Sequence, residues 1–311
     1  MKSLAGRSLL TLLEYSPEEI RFLLDLSHRV KEERRSGTRP QRFRGLSLAM
    51  LFEKRSTRTR AAFETAFGEE GGTAAFLSSS DIQLGAKETI EDTARVLGRM
   101  FDIIQFRGFH QQTVEALAQW SGVPVINGLT DQFHPTQALA DLMTIQEHEQ
   151  SLAGKTLVYV GDGRNNVSNS LMIAAVKMGM HHVVIAPQEL APDNQLVSAI
   201  TARDDCSGTI TITHDPTAVP RDTIAIYTDV WVSMGEEGQE NARRELLTPY
   251  QVTEKMMKQV PDSLFLHCLP AVRGNEMTAA VIDGPQSRVW DQAENRKHTI
   301  KAMMLASLDV T

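Results

Sequence analysis

The sequence predicts an α/β protein of two domains, each a parallel sheet flanked by helices. Three observations carry this. Short β-rich runs alternate with helical periodicities from end to end, the pattern of a sheet wound with helices. The alternation breaks at a polar stretch, 146–155, and restarts beyond it. At 311 residues the chain also exceeds the roughly 100–200 residues of one domain.

Ser16 followed by Pro17 marks a helix start, because a serine hydroxyl caps free amides and proline suits the first turn; a helix is expected over 17–34. Strands are expected over 47–52, 73–77, 102–106 and 124–127, with helical patterns between them. Beyond the break come candidate strands 156–160, 182–186, 209–213, 223–227 and 263–267, and a helical pattern over 295–308 closes the chain. The boundary is placed at 148, giving domains 1–148 and 149–294. Ligands of open parallel sheets gather beyond the carboxyl ends of the strands, so motifs at those ends carry the functional argument.

Composition removes several classes of function. Charged residues make up 23% and hydrophobic ones 41%, the mixture of an ordinary globular protein. A net charge of −7, with only the short mixed patch Lys31 to Arg35, leaves no nucleic-acid footprint. No stretch approaches the ~20 apolar residues of a membrane span, and 1–13 lacks a signal-peptide layout, so a cytoplasmic protein is expected. Cys206 and Cys268 are the only cysteines, too few for a disulfide framework and without metal-ligand spacing. No metal or cofactor is expected.

Beyond the 47–52 strand stands Glu53 to Arg60, then Phe63, Ala66 and Phe67 at helical spacing. Ser56 fits the N-cap, which leaves the amides of Thr57, Arg58 and Thr59 as donors at a positive dipole end, a ready anion site. Arg58 adds a guanidinium able to grip two phosphate oxygens. The plain alternative is a solvated basic turn, but arginine opposes the dipole there and calls for a compensating anion. Arg107 follows the next strand but one, again at a carboxyl end. His134-Pro135-Thr136-Gln137 opens a further helical pattern, with Pro135 at its first position and His134 at the cap. The dipole favours a neutral ring at that cap, whose N–H can polarise a carbonyl, and Gln137 on the same turn can donate or accept.

Ser56-Thr57-Arg58-Thr59, Arg107 and His134-Pro135-Thr136-Gln137, in this order, resemble the aspartate/ornithine carbamoyltransferase family. The likeness continues through Thr93-Ala94-Arg95-Val96-Leu97 and Asp291-Gln292-Ala293-Glu294-Asn295-Arg296 and covers essentially the whole chain. It implies a carbamoyl phosphate-binding first domain, onto which a C-terminal helix, 295–311, packs back, and a second domain that chooses the amine. It also implies that Ser56, Thr57, Arg58, Thr59 and Arg107 hold the phosphate. His134, Gln137 and Arg296 then meet the carbamoyl group. By the same resemblance Gln83 completes a neighbouring subunit's site, which makes a homotrimer, or a higher assembly of trimers, the expected unit. Arg55 and Phe106-Arg107-Gly108-Phe109 depart from the family's common residues without removing a ligand.

In the second domain, Asp229-Val230-Trp231-Val232-Ser233-Met234-Gly235 looks like the Ser-Met-Gly loop of the ornithine-using members, and His267-Cys268-Leu269-Pro270 matches their His-Cys-Leu-Pro element. An α-amino acid needs an anion for its ammonium and donors for its carboxylate. Asp229 supplies the first; Asn166, Ser233 and Met234 supply the second. Cys268 and Leu269 are placed beside the reacting amine by resemblance, Cys268 orienting it rather than attacking. Gly161-Asp162-Gly163-Arg164-Asn165-Asn166 has Asn166 where a dinucleotide loop needs glycine, so that fingerprint is incomplete.

The implied reaction moves a carbamoyl group from carbamoyl phosphate to the side-chain amine of L-ornithine. Only a small fraction of such an amine is free base at neutral pH, a handicap of roughly 4–5 kcal/mol that desolvation by domain closure would relieve. Competing readings are a carbamoyltransferase for putrescine or another amine, and a non-catalytic relative that keeps the fold.

Overall fold

The computed structural model describes residues 3–78, 88–149, 151–232, 238 and 240–311. It forms two compact units, Met1–Ala140 with Glu294–Thr311, and Asp141–Ala293.

The first unit is built on β1 (Ser47–Phe52), β2 (Thr73–Ser78), β3 (Ile103–Arg107) and β4 (Val125–Leu129), all parallel, in the order β2-β1-β3-β4. Helices cover both faces of such a sheet, so its central strands are apolar almost throughout. Ala49, Leu51, Ile104, Phe106 and Val125 of the sheet pack with Ala94, Leu97, Val114 and Leu117 of the flanking helices Ile90–Met100 and Gln111–Ser121. Between β3 and β4 the register shifts: Phe106 pairs with Asn127 but Arg107 with Leu129, so Gly128 is the extra residue of a bulge. Gly108 follows, where any Cβ would collide with Glu53 Oε2 and the Phe106 ring. That contact accounts for glycine beside Arg107.

Helix Pro17–Arg35 starts in a full capping box, Ser16 Oγ accepting from Glu19 N while the Glu19 carboxylate accepts from Ser16 N. The last helix, Val289–Ser307, begins upstream of the expected 295. Arg296 is therefore interior to a helix and 3% exposed. Its C-terminal part is held in the first unit by charge. Glu69 binds Lys297, Arg34 and Lys301, the last at 3.1 Å, and Glu70 binds Arg42 at 2.8 Å and Lys301 at 3.3 Å. Lys31 Nζ donates to Asn295 Oδ1 at 2.6 Å.

The second unit carries β5 (Thr156–Val160), β6 (His181–Ile185), β7 (Thr209–Thr213), β8 (Thr223–Thr228) and β9 (Leu264–Leu266), all parallel, in the order β7-β6-β5-β8-β9. Its core joins Val158, Val160, Ile185, Ile226 and Phe265 to Tyr250, Met256, Met257 and Val281. Chain order β5-β6-β7 runs outward and then jumps back to β8, so the carboxyl ends of β5 and β8 flank a topological switch point. No helix among the described residues is long and apolar enough to cross a membrane.

Candidate active site

In the first unit the carboxyl ends of β1 and β3, and the loop after β4, bring one set of predicted residues together. Ser56 is the N-cap of helix Thr57–Gly68, its Oγ accepting from Thr59 N at 3.2 Å. Thr59 thus sits in the first turn with its side chain fully buried. Its hydroxyl oxygen accepts from Arg107 Nη1 at 3.2 Å and from Arg296 Nη2 at 3.0 Å. Two buried guanidinium groups, one from a strand end and one from the C-terminal helix, meet at a single neutral oxygen.

His134 completes this cluster. It precedes helix Pro135–Gln146, and its carbonyl accepts from Gln137 N and Ala138 N, so it stands at the cap as expected. Thr136 Oγ1 lies 3.4 Å from its Nδ1. Burial, followed by the positive charges of Arg296, Arg107 and Arg58, holds the ring well below its ordinary value of 6.5. The ring is neutral as expected, though burial and arginines are the cause rather than the dipole alone. Gln137 is fully buried on the same turn, whereas Thr57 is exposed and Ser56 and Arg58 are half-exposed. Three arginines around an uncharged hydroxyl and an uncharged imidazole form an electropositive site in low dielectric. It suits an anion carrying an oxygen to be polarised.

In the second unit the strand ends of β5, β8 and β9 assemble a different chemistry. Asp229 follows β8 and is 6% exposed. Its Oδ1 accepts from Cys268 Sγ at 3.0 Å and its Oδ2 from Asn165 Nδ2 at 3.0 Å. Asn165 is also the N-cap of helix Asn166–Lys177, its Oδ1 accepting from Val167 N at 2.7 Å. One amide therefore ties the start of the helix to the carboxylate. Asn166, the residue singled out from sequence, is half-exposed in the first turn. Asn165 escaped notice although its signal was present: an Asn at a strand end directly before a helical pattern is a capping residue.

His267 and Cys268 follow β9. Leu269 N donates to His267 Nδ1 at 2.8 Å, and His267 Nε2 faces Glu276 Oε1 at 3.2 Å. Leu269 has a φ of 59°, uncommon for a branched side chain, so this turn is held by its surroundings. Asp229, His267 and Cys268 bring ligand-type atoms within 4.8 Å of one another. Both imidazole nitrogens are committed, however, one to a backbone amide and one to a carboxylate, which argues for a positioning cluster rather than a metal centre. Below it, Tyr227 is fully buried and burial, then Asp141, drive its hydroxyl well above its ordinary value. It accepts from Gln292 Nε2 at 3.1 Å.

A buried ion pair that sequence reading also missed joins Asp162, after β5, to Arg243 in helix Glu240–Leu247, and Arg243 Nε donates to the carbonyl of Trp231 at 2.5 Å. Gln83, Ser233 and Met234 lie outside the described residues.

An arginine, hydroxyl and imidazole cluster on one α/β unit and a carboxylate, amide and thiol cluster on the other both stand at the carboxyl ends of strands, where open parallel sheets bind ligands and carry out catalysis. Comparison with known proteins gives the class its name. Residues 7–147 match the carbamoyl-P binding domain, and residues 153–307 the Asp/Orn binding domain, of aspartate/ornithine carbamoyltransferase. The chain belongs to the aspartate/ornithine carbamoyltransferase family, whose members are transferases. It is 62% identical over 309 residues to the ornithine carbamoyltransferase of Caldanaerobacter subterraneus subsp. tengcongensis, covering 98% of this chain and 99% of that one. It is 59% identical over 309 residues to that of Thermotoga maritima, with the same coverage. The solved ornithine carbamoyltransferase of Pyrococcus furiosus superposes with a TM-score of 0.95 at 46% identity, over 99% of each chain.

Proposed function

We propose that this chain transfers the carbamoyl group of carbamoyl phosphate to the side-chain amine of L-ornithine, giving L-citrulline and phosphate. The observation that carries the donor half is the convergence of Arg107 and Arg296 on Thr59 Oγ1 beside a neutral, buried His134. In this reading the first-turn amides, Arg58 and Arg107 hold the phosphate. Thr59 joins them there, while Arg296, His134 and Gln137 address the carbamoyl group, because neutral and cationic donors together stabilise charge growing on its oxygen.

The acceptor half rests on Asp229. A buried carboxylate fixed by Asn165 and Cys268 offers an ammonium a single defined counter-charge. Full-length relatives named for ornithine support that choice of amino acid over aspartate or a diamine. Asn166, Ser233 and Met234 are assigned to the amino-acid head group, and Cys268 and Leu269 to the reacting amine. That amine, as free base, attacks the carbamoyl carbon; the carbon–oxygen bond to phosphate breaks, the electron pair leaves with phosphate, and phosphate takes up the amine's proton. No metal or cofactor enters this scheme. Residues 1–148 with the C-terminal helix form the donor domain and 149–294 the acceptor domain. The working unit is a cytoplasmic homotrimer in which Gln83 serves a neighbour's site.

Citrulline formation, followed colorimetrically with carbamoyl phosphate and ornithine, putrescine or aspartate, tests the proposal. Ornithine is expected to turn over and the other two to fail. Preference for putrescine, or no transfer to any amine, would refute it. Light scattering on the purified protein is expected to give the mass of three chains.

A further inference from the structure

Gln105 stands in the middle of β3, between Ile104 and Phe106, with no exposed surface. Neither its Nε2 nor its Oε1 has a hydrogen-bond partner among the described residues. A buried amide in that condition destabilises a sheet that an apolar side chain would suit, and departures of this sort cluster where function has displaced stability. Its place is informative. Side chains alternate along a strand, so Gln105 and Arg107 leave β3 on the same face, and the bulge lies in β4 rather than β3. A Cβ built on Gly128, the bulge residue, would stand 2.6 Å from Gln105 Nε2 and 3.2 Å from Thr59 Cγ2. The donor end of the amide therefore flanks the same point as the side chain whose hydroxyl collects Arg107 and Arg296. Glycine at the bulge leaves room for both.

We propose that Gln105 is a positioning residue of the donor site, its amide dipole directed with the N–H2 edge toward Thr59 so that it adds fixed positive potential beneath the arginine cluster. A dipole buried in low dielectric acts on a bound anion without reorganising, although it touches no substrate atom. This rests on the carbamoyl phosphate reading above and extends it to a residue one layer below the site. It also gives Gly128 a part, as the residue whose missing side chain admits the amide.

Gln105→Met keeps the length of the side chain and removes the dipole. The KM for carbamoyl phosphate is expected to rise about tenfold, with the ornithine KM unchanged and the thermal midpoint equal or higher, because a partnerless amide has left the core. Gln105→Glu is expected to weaken the donor further at neutral pH and to recover as the pH falls and the carboxyl takes up a proton, a response that packing alone would not produce. Gln105→Leu, which also removes the dipole and leaves Gly128 and Thr59 untouched, is expected to raise the donor KM selectively, and it decides the matter should Gln105→Met not fold. A wild-type donor KM in a Gln105→Met protein of raised stability, or a parallel rise in both KM values, overturns the inference while leaving the transferase reading intact. A wild-type protein that transfers nothing overturns both.

Discussion

The two strand-end clusters are built by opposite means. In the first unit, charged side chains gather around neutral anchors: Arg107 and Arg296 on the Thr59 hydroxyl, with His134 kept uncharged among them. In the second, neutral side chains gather around a charge: Asn165 and Cys268 donate to the two oxygens of Asp229. A cluster rich in guanidinium groups suits an anionic ligand, and a carboxylate held by neutral donors suits a cationic one. The difference sets two strand-end clusters of opposite sign apart, one in the part of the chain that matches a carbamoyl-P binding domain and one in the part that matches an Asp/Orn binding domain.

The sharpest way to break this comparison is to remove a cation. Arg107→Met is expected to lower kcat/KM for carbamoyl phosphate by about 100- to 1000-fold, read from citrulline initial rates. Retention of most of that activity would mean that the arginine cluster is structural. Next in size, Asp229→Asn keeps the geometry and discards the charge. The ornithine KM is expected to rise by about tenfold to a hundredfold, the equivalent of roughly 1.5–3 kcal/mol for a charged hydrogen bond. The donor KM should stay put, and a comparable rise there would erase the division of labour.

A smaller effect separates charge used for binding from charge used for folding. Glu69 is pushed up by burial, but hydrogen bonds from Lys297 and Lys301 outweigh this and bring its pKa from 4.5 to about 2. A depressed carboxylate stabilises the fold fully above its ordinary value, so this contribution should fade as the pH falls from 4.5 toward about 2. Lys301→Met is expected to remove about 2 kcal/mol at neutral pH, the worth of a hydrogen bond to a charged group, measured by denaturant unfolding, and to flatten that acid limb. An unaltered acid limb would mean that the network holds nothing in place. Smallest of all, Ser56→Ala should cost about 1 kcal/mol as a lost cap, with a modest rise in donor KM because the first turn that presents Thr59 frays. A change in the ornithine KM instead would be at odds with its place.

Much of this was legible in the residues, for physical reasons. Apolar and β-branched runs bounded by turn residues located the nine strands of the described residues to within a residue or two at each end; strands buried on both faces, such as β1, are nearly all apolar, whereas the partly exposed β7 alternates Thr with Ile. Ser16-Pro17 gave the first helix because its capping is local. The start of the last helix was missed, since Val289 and Trp290 carry no cap signal of their own. At the sites, residues in contiguous motifs such as Ser56 to Thr59 could be named in advance. Asn165 could have been named as a helix cap, though not as the partner of Asp229. Glu276, Arg243 and Gln105 could not, because their roles depend on contacts between segments far apart in sequence: Glu276 with His267, Arg243 with Asp162, and Gln105 with the bulge at Gly128. Burial as the main reason for a neutral His134 also appears only once the chain is folded.

The central claim, that the arginine cluster is the donor's site and the Asp229 cluster is not, is tested most directly by titration calorimetry of carbamoyl phosphate into the wild type, Arg107→Met and Asp229→Asn. Binding is predicted to vanish in Arg107→Met and to persist in Asp229→Asn. Loss in Asp229→Asn with retention in Arg107→Met would contradict the account.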